Sequence, residues 1–168
     1  LNPVSTVFLD TPEEGRTSIL GPVDYSGRGG LRVRGQTSAG FPKKQYKFET
    51  WDDYGVDKEV SLFGFPGESD WVIHGPYTDK TLIRNHLSYT WAREMGNTAM
   101  RTRLCEVFRA FSGRDEVTYD DYWGVFVLME QIKRDGDRVD IAKLDYTDNA
   151  EPEVTGGYIF RKDKEPER

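Results

Sequence analysis

Residues 31–49 read LRVRGQTSAGFPKKQYKFE, and the alternation in this stretch decides the fold class. In the run 31–34 (LRVR) apolar side chains alternate with guanidinium groups, the period of a half-buried strand. Residues 35–40 (GQTSAG) form a loop of small residues. From residue 43 to 49 the alternation resumes. Lys44, Tyr46 and Phe48 share one face, and Lys43, Gln45 and Lys47 share the other. Two alternating runs around a short Gly-bounded loop predict strands joined by a turn.

Working outward, residues 4–9 (VSTVFL) predict a strand that stops at Asp10-Thr11-Pro12 and Glu14-Gly15. A Gly-rich segment follows at 21–30. Residues 50–78 read as irregular, with a short apolar run at Trp71-Val72-Ile73 that suits a strand. A helix is predicted over 79–95. Asp79 is placed to cap it, Gly96 to stop it, and Ile83, Leu87, Trp91 and Met95 recur every four residues as a stripe to be buried against the sheet. Strands are predicted at 104–111 and 122–132 around a polar turn at 112–121, with Trp123, Val125, Val127 and Met129 on one face. Residues 156–161 predict a last strand. The sum is α+β: a mainly antiparallel sheet with one major helix packed on it. A protein-kinase small lobe has the same order of parts, as do many other α+β domains.

Composition narrows the function classes. With 168 residues, 36% hydrophobic and 31% charged, the chain suits one domain with one core and is not a disordered polymer. No apolar run approaches the ~18 residues of a membrane helix, so no membrane span is expected. No charged-then-apolar leader is read at Leu1, and both ends look like processing edges. A net charge of −6 argues against nucleic acid as a general partner. Yet residues 25–48 carry Arg28, Arg32, Arg34, Lys43, Lys44 and Lys47 without one acidic residue. Such a run serves either a small anion or internal ion pairs. The single cysteine, Cys105, excludes an internal disulfide and a Cys-based metal site, and its apolar setting predicts a core residue. His74 and His86 are too few for a His-rich metal centre. Asp135, Asp137 and Asp140 lack the Gly and terminal Glu of a calcium loop. No metal site is therefore expected here. The hydrolase and metalloprotease motifs G-x-S-x-G and H-E-x-x-H are absent, as are H-R-D and D-F-G, so this is no ordinary protein kinase.

Three constellations carry candidate chemistry. In residues 34–46 (RGQTSAGFPKKQY) a loop of Gly and hydroxyl residues can turn its amides toward an anion, and a following Lys can neutralise phosphate charge. A plain hairpin turn is the alternative. The pattern is not a P-loop, and Gly27-Arg-Gly-Gly30 does not complete G-x-G-x-x-G. In residues 76–87 (PYTDKTLIRNHL) Arg84 and Asn85 sit near the helix start, either solvated or facing a cleft. In residues 123–135 (WGVFVLMEQIKRD) an apolar strand turns polar at Met129-Glu130. A nucleotide-binding hinge needs that arrangement, and so does any core strand reaching the surface.

Taken in series, RGQTSAGFPKKQYKFE (34–49), ESDWVIHGPYTDKTLIRNHLSYTWAREMG (68–96), YWGVFVLMEQIKRDGDRVDI (122–141) and GGYIFRKDK (156–164) resemble the CotH (spore coat protein H) kinase-like family. The resemblance implies a divergent protein-kinase-like fold that uses ATP and a divalent metal, Mg or Mn, to phosphorylate Ser or Thr of a protein substrate. It implies a spore coat, secreted or cell-surface setting. It assigns Arg34 and Gly35 to the phosphate-proximal turn and Lys44, with Lys43 second, to the nucleotide phosphates. Arg84 matches the family's helix motif, and Met129 with Glu130 falls at the hinge. The family's acidic catalytic and metal-binding segments are expected beyond Arg168. On this expectation residues 1–168 are the amino-terminal, small-lobe-like part, inactive alone and completed in cis by a large lobe. A non-catalytic surface module and a small-molecule or glycan phosphotransferase are the competing readings.

Overall fold

The computed structural model describes residues 1–11, 15–111, 114 and 116–160. It divides into two compact units, residues 1–131 and 132–168. The first holds six strands and one helix: β1 (Asn2–Leu9), β2 (Val23–Arg34), β3 (Gln45–Trp51), β4 (Asp70–His74), α1 (Arg84–Glu94), β5 (Thr102–Phe108) and β6 (Tyr122–Glu130). They form one antiparallel sheet in the order β1-β2-β3-β4-β6-β5. The expected class, a mainly antiparallel sheet with a single helix, is therefore observed.

Register explains how the sheet divides its side chains. Phe48 lies opposite Trp71, and Trp71 opposite Glu130, so Tyr46, Phe48, Trp71, Ile73 and Leu128 share one face. Phe48, Trp71 and Leu128 join Tyr25 and Leu62 in the main core. Leu62 comes from the loop 52–69, which the sequence reads only as irregular. Asp52 shapes that loop by accepting the Tyr54 and Val56 amides, both at 2.9 Å, and the Thr50 hydroxyl donates to the Lys58 carbonyl at 2.6 Å. Val72, Val127 and Met129 lie on the opposite face.

Two expectations of local structure are corrected, and the Gly-rich segment takes a definite form. The Gly-rich segment 21–30 is mostly strand, because β2 begins at Val23. A Cβ on Gly29 would lie 2.4 Å from the Glu49 carbonyl oxygen and 2.6 Å from the Phe48 ring. The missing side chain is what lets Phe48 lie flat on the neighbouring strand. Trp123 does not share a face with Val127 and Met129. The β5–β6 register shifts between Val107 and Phe108, opposite Gly124 at φ +102. This bulge turns the Trp123 ring onto Tyr46, at 5.0 Å, and Phe126, at 5.5 Å. The predicted strand 156–161 is irregular over its described part, 156–160; Arg161 lies outside the described residues. Gly157 has φ +86, outside strand geometry, and a Cβ there would meet the Ala142 carbonyl oxygen at 2.2 Å.

The helix is shorter than predicted, and its buried face differs. It starts at Arg84 rather than 79, because Leu82 adopts a left-handed conformation at φ +66 that no helix can contain. Gly96, at φ +80, ends it as expected, donating its amide to the Arg93 carbonyl at 2.9 Å. Most of the stripe stays outside: Ile83 is 39%, Trp91 58% and Met95 73% exposed, while Leu87 is half-buried. Tyr89 instead packs against Val72, Val127 and Met129, and the His86 Nδ1 lies 2.8 Å from the Thr102 hydroxyl. At 100° per residue Tyr89 points about 200° away from Leu87. The helix thus turns toward the sheet a face that carries ring area and a polar partner for Thr102.

Cys105 lies at the rim of the main core, its thiol 3.7 Å from the Phe126 carbonyl. Burial pushes that thiol up from 9.0 to about 11. At pH 8 it should hold roughly a hundredth of the thiolate of an ordinary thiol. Iodoacetamide is therefore expected to alkylate the native protein about 10²-fold more slowly than the urea-unfolded protein. Equal rates would refute the burial. The folded state keeps a proton that the unfolded state releases. This contribution to stability is thus whole below pH 9 and is lost as pH rises toward about 11.

Candidate functional site

Strand ends bring the candidate residues together. β2 ends at Arg34, opposite Gln45 at the start of β3. The connection between them opens on Gly35 at φ +95 and contains a 3-10 turn, Thr37–Gly40. A Cβ on Gly35 would come within 2.1 Å of the Ser38 hydroxyl oxygen, so glycine is required both for the turn and for its closure.

The two lysines that follow diverge. Lys44 donates from Nζ to the Ala39 carbonyl at 2.6 Å, which sets it on the Gly-bounded loop. Lys43 crosses the end of β4, lies 4.5 Å from the centre of the Phe126 ring and donates to the Val125 carbonyl. The β4–β6 ladder ends at His74 and Val127, which leaves that carbonyl beyond the last paired residues of β4. Lys43, rather than Lys44, thus reaches the aromatic face built by Tyr46, Trp123 and Phe126. Gly75 makes the crossing possible: a Cβ there would meet the Lys44 carbonyl oxygen at 2.3 Å and the Lys43 side chain at 3.2 Å. Burial holds the Lys43 ammonium below its ordinary range, with Cys105 acting weakly against it.

His74, at the end of β4, belongs to the same corner. Burial chiefly, then the nearby Arg34 charge, and less strongly Lys43, hold its imidazole below the ordinary histidine range; Asp79 opposes them. Asp79 begins the turn that leads into α1. Its carboxylate accepts the Thr81 amide at 3.0 Å, the Thr81 hydroxyl at 2.6 Å and the Arg84 amide at 2.9 Å. The hydroxyl bond is the chief reason its acid is held below the usual carboxylate range. Arg84 is largely exposed, and its Nε lies 3.5 Å from Asp79. Phe41 and Tyr77 pack at 5.3 Å on the rim, with the Lys80 ammonium 4.3 Å from the Tyr77 ring centre. Asn85, the other polar residue of the helix motif, has a buried side-chain oxygen without a hydrogen-bond partner.

Several cations elsewhere on the sheet are paired with carboxylates. Lys47 is neutralised by Glu49 at 2.6 Å and Asp70 at 3.0 Å, Arg101 by Glu130 at 2.7 Å, and Arg103 by Asp10 at 2.7 Å. Among the described residues no carboxylate pairs with Arg34, Lys43 or Lys44. Of the basic run at 25–48, Lys47 serves an internal ion pair, while Arg28, Arg32, Arg34, Lys43 and Lys44 have no carboxylate partner among the described residues, and the last three lie at this corner. No group of three or more His, Cys, Asp or Glu side chains among the described residues stands close enough to hold a metal ion.

Met129 and Glu130 are not at this corner. Both are buried, with strand neighbours on each side: Val72 and Thr102 lie beside Met129, and Trp71 lies beside Glu130. The Glu130 carboxylate accepts the Arg101 backbone amide and its guanidinium, each at 2.7 Å. Five residues of strand, roughly 17 Å, separate Glu130 from Val125. His74, Gly75 and Asp79 were missed as site residues. The only signal was local: an apolar run that turns polar at His74 before Gly75-Pro76.

A protein-family model described as "CotH kinase protein" matches residues 31–166. No curated protein and no solved structure matches. No helix among the described residues is long and apolar enough to cross a membrane.

Proposed function

The chain belongs to the CotH kinase protein family, and from that membership we propose that it is the nucleotide-covering, small-lobe-like part of an ATP-dependent protein Ser/Thr phosphotransferase. The observation that carries this reading is the corner of cations without carboxylate partners, Arg34, Lys43 and Lys44, around the Gly35 turn. Polyphosphate fits such a corner, because its charge meets cations that no carboxylate neutralises. ATP supplies the transferable phosphoryl group. Arg34 and Lys44 hold the phosphates from the loop side. Lys43 does so from the aromatic face, where its remaining N–H donors have no partner among the described residues. Arg84 approaches from the helix start. Met129 and Glu130 act in this reading by fixing where the chain leaves the sheet, since their own backbones lie inside it. Mg or Mn serves with ATP, and its protein ligands lie outside the described residues.

The test is the full-length protein with Mg²⁺ or Mn²⁺, γ-labelled ATP and a generic Ser/Thr protein substrate. Label transfer, with calorimetric ATP binding in the micromolar range, is the expected result. Full-length protein that binds no ATP would overturn the reading. It would favour the second one, a non-catalytic interaction module, for which the exposed Ile83–Trp91–Met95 stripe of α1 is the supporting observation.

A further inference from the structure

We propose that Arg109 is a further phosphate-binding residue of the anion site, working beside Lys43; this rests on the phosphotransferase reading above. Strand direction brings it to the site. Every strand pair is antiparallel, so the ends of β2, β4 and β5 and the starts of β3 and β6 lie at one end of the sheet. Arg34 lies opposite Gln45, Tyr46 opposite Ile73, His74 opposite Val127 and Phe108 opposite Tyr122. Arg109 follows directly on Phe108, so it leaves the sheet at the end where Arg34, Lys43 and His74 stand. Its backbone is tied there. The Arg109 amide donates to the Asp121 carbonyl at 2.8 Å, and the Asp121 carboxylate is itself held by the Thr118 amide at 2.8 Å and by Arg114.

The two side chains rest on one row of rings. The Arg109 guanidinium carbon lies 4.5 Å from the centre of the Trp123 ring and 4.6 Å from that of Phe111. Trp123 packs on Phe126 at 5.5 Å, and the Lys43 ammonium lies 4.5 Å from the Phe126 ring centre. A Cβ on Gly124, the residue after Trp123, would lie 3.4 Å from that same ammonium. Tyr46 completes the row, 5.0 Å from Trp123; burial raises its hydroxyl, and the Arg109 charge partly offsets this. The row thus carries two cations, and no carboxylate among the described residues pairs with either. Like charges on one apolar support repel each other, and a polyanion that reaches both removes that cost. Stacking on rings uses the charge of Arg109 and none of its N–H donors. Its planar fork therefore stays available for bidentate contact with a phosphate.

The experiment is calorimetry of the full-length protein with Mg²⁺ and either ATP or inorganic tripolyphosphate, which has the phosphates without the base. Wild type, Arg109→Ala and Arg109→Lys are compared, and melting temperature is measured alongside. Arg109→Ala is expected to weaken both ligands about 10–10²-fold, the loss of one charged, hydrogen-bonded contact. Arg109→Lys keeps the charge without the fork and should recover only part of that loss. Wild-type ATP affinity in Arg109→Ala overturns the inference alone. So does a loss for ATP with none for tripolyphosphate, or a wild type that binds ATP and not tripolyphosphate, since either would place Arg109 away from the phosphates. Full recovery by Lys would reduce Arg109 to a diffuse field and overturns the contact. A purely structural role would lower melting temperature and binding stoichiometry with the dissociation constant unchanged, and that result overturns the inference too. If Arg109→Ala does not fold, Arg109→Lys decides: weaker binding of both ligands supports the contact, and wild-type affinity overturns it. Wild-type protein that binds neither ligand overturns the underlying reading, and this inference with it.

Discussion

Lys44→Ala in the full-length protein is expected to lower phosphoryl transfer ~10²-fold or more, because in the proposed function it removes a cation that meets charge growing in the transition state. Initial rates with γ-labelled ATP decide it, and a wild-type rate would show that Lys44 does not touch the phosphates. Lys44 also ties its ammonium to the Ala39 carbonyl at 2.6 Å, on the loop that Gly35 opens. Its loss therefore removes both a charge and an anchor of the loop. Lys44→Arg separates these effects, since it keeps the charge while changing the donor geometry. The neighbouring Lys43→Ala is expected to behave differently. It leaves the half-buried Val125 carbonyl without its donor, so it should also cost about 1–3 kcal/mol of stability. Lys44→Ala, which frees the Ala39 carbonyl of a short loop, should cost no more than that. If Lys43→Ala lowers transfer while Lys44→Ala does not, the phosphate contact belongs to Lys43.

The largest stability effect is expected at Trp71. Its side chain is fully buried at the centre of the sheet, stacked on Phe65 at 6.3 Å and joined to Phe48, Leu62 and Leu128. Trp71→Ala should cost roughly 3–5 kcal/mol, the transfer term plus a cavity that β3 and β6 cannot close without breaking their register. Domains of this size are typically stable by about 5–15 kcal/mol, so the variant should sit near the edge of folding. Urea denaturation reads the difference directly. Trp91→Ala is the internal control: with its ring 58% exposed, it should cost less than about 1 kcal/mol. A loss at Trp91 as large as that at Trp71 would mean that the α1 stripe is covered in solution.

The contrast between the two tryptophans shows what local sequence can express. Both lie in strongly apolar settings, and periodicity alone favours burial of Trp91. Helical spacing shows that Ile83, Leu87, Trp91 and Met95 share a face. It carries no information about which face meets the sheet. That choice was made by Leu82 at φ +66, by Asp79 holding the Arg84 amide, and by Thr102 accepting His86 as a partner.

The sequence by itself determined the elements whose cause is short-range. The alternation of 43–49 made β3, Gly96 stopped α1, and the small residues at 35–40 made the loop that Lys44 meets. The order of strands and helix settled the fold class, and four spaced motifs settled the family. The tertiary structure decided whatever depends on pairs of distant residues. Gly29 is a strand residue because Phe48 and Glu49 lie against it. Gly124 moves Trp123 across the sheet because β5 and β6 differ by one residue of register. Glu130 is a buried ion-pair member because β4 and Arg101 flank it. The six-cation run looks uniform in sequence, yet Lys47 meets Asp70 across the β3–β4 pair while Arg34, Lys43 and Lys44 meet no carboxylate among the described residues. Neutralisation is a property of the partner as much as of the residue. A linear reading sees each charge but not its neighbour, so it can find a basic stretch and cannot find the corner where that charge stays unspent.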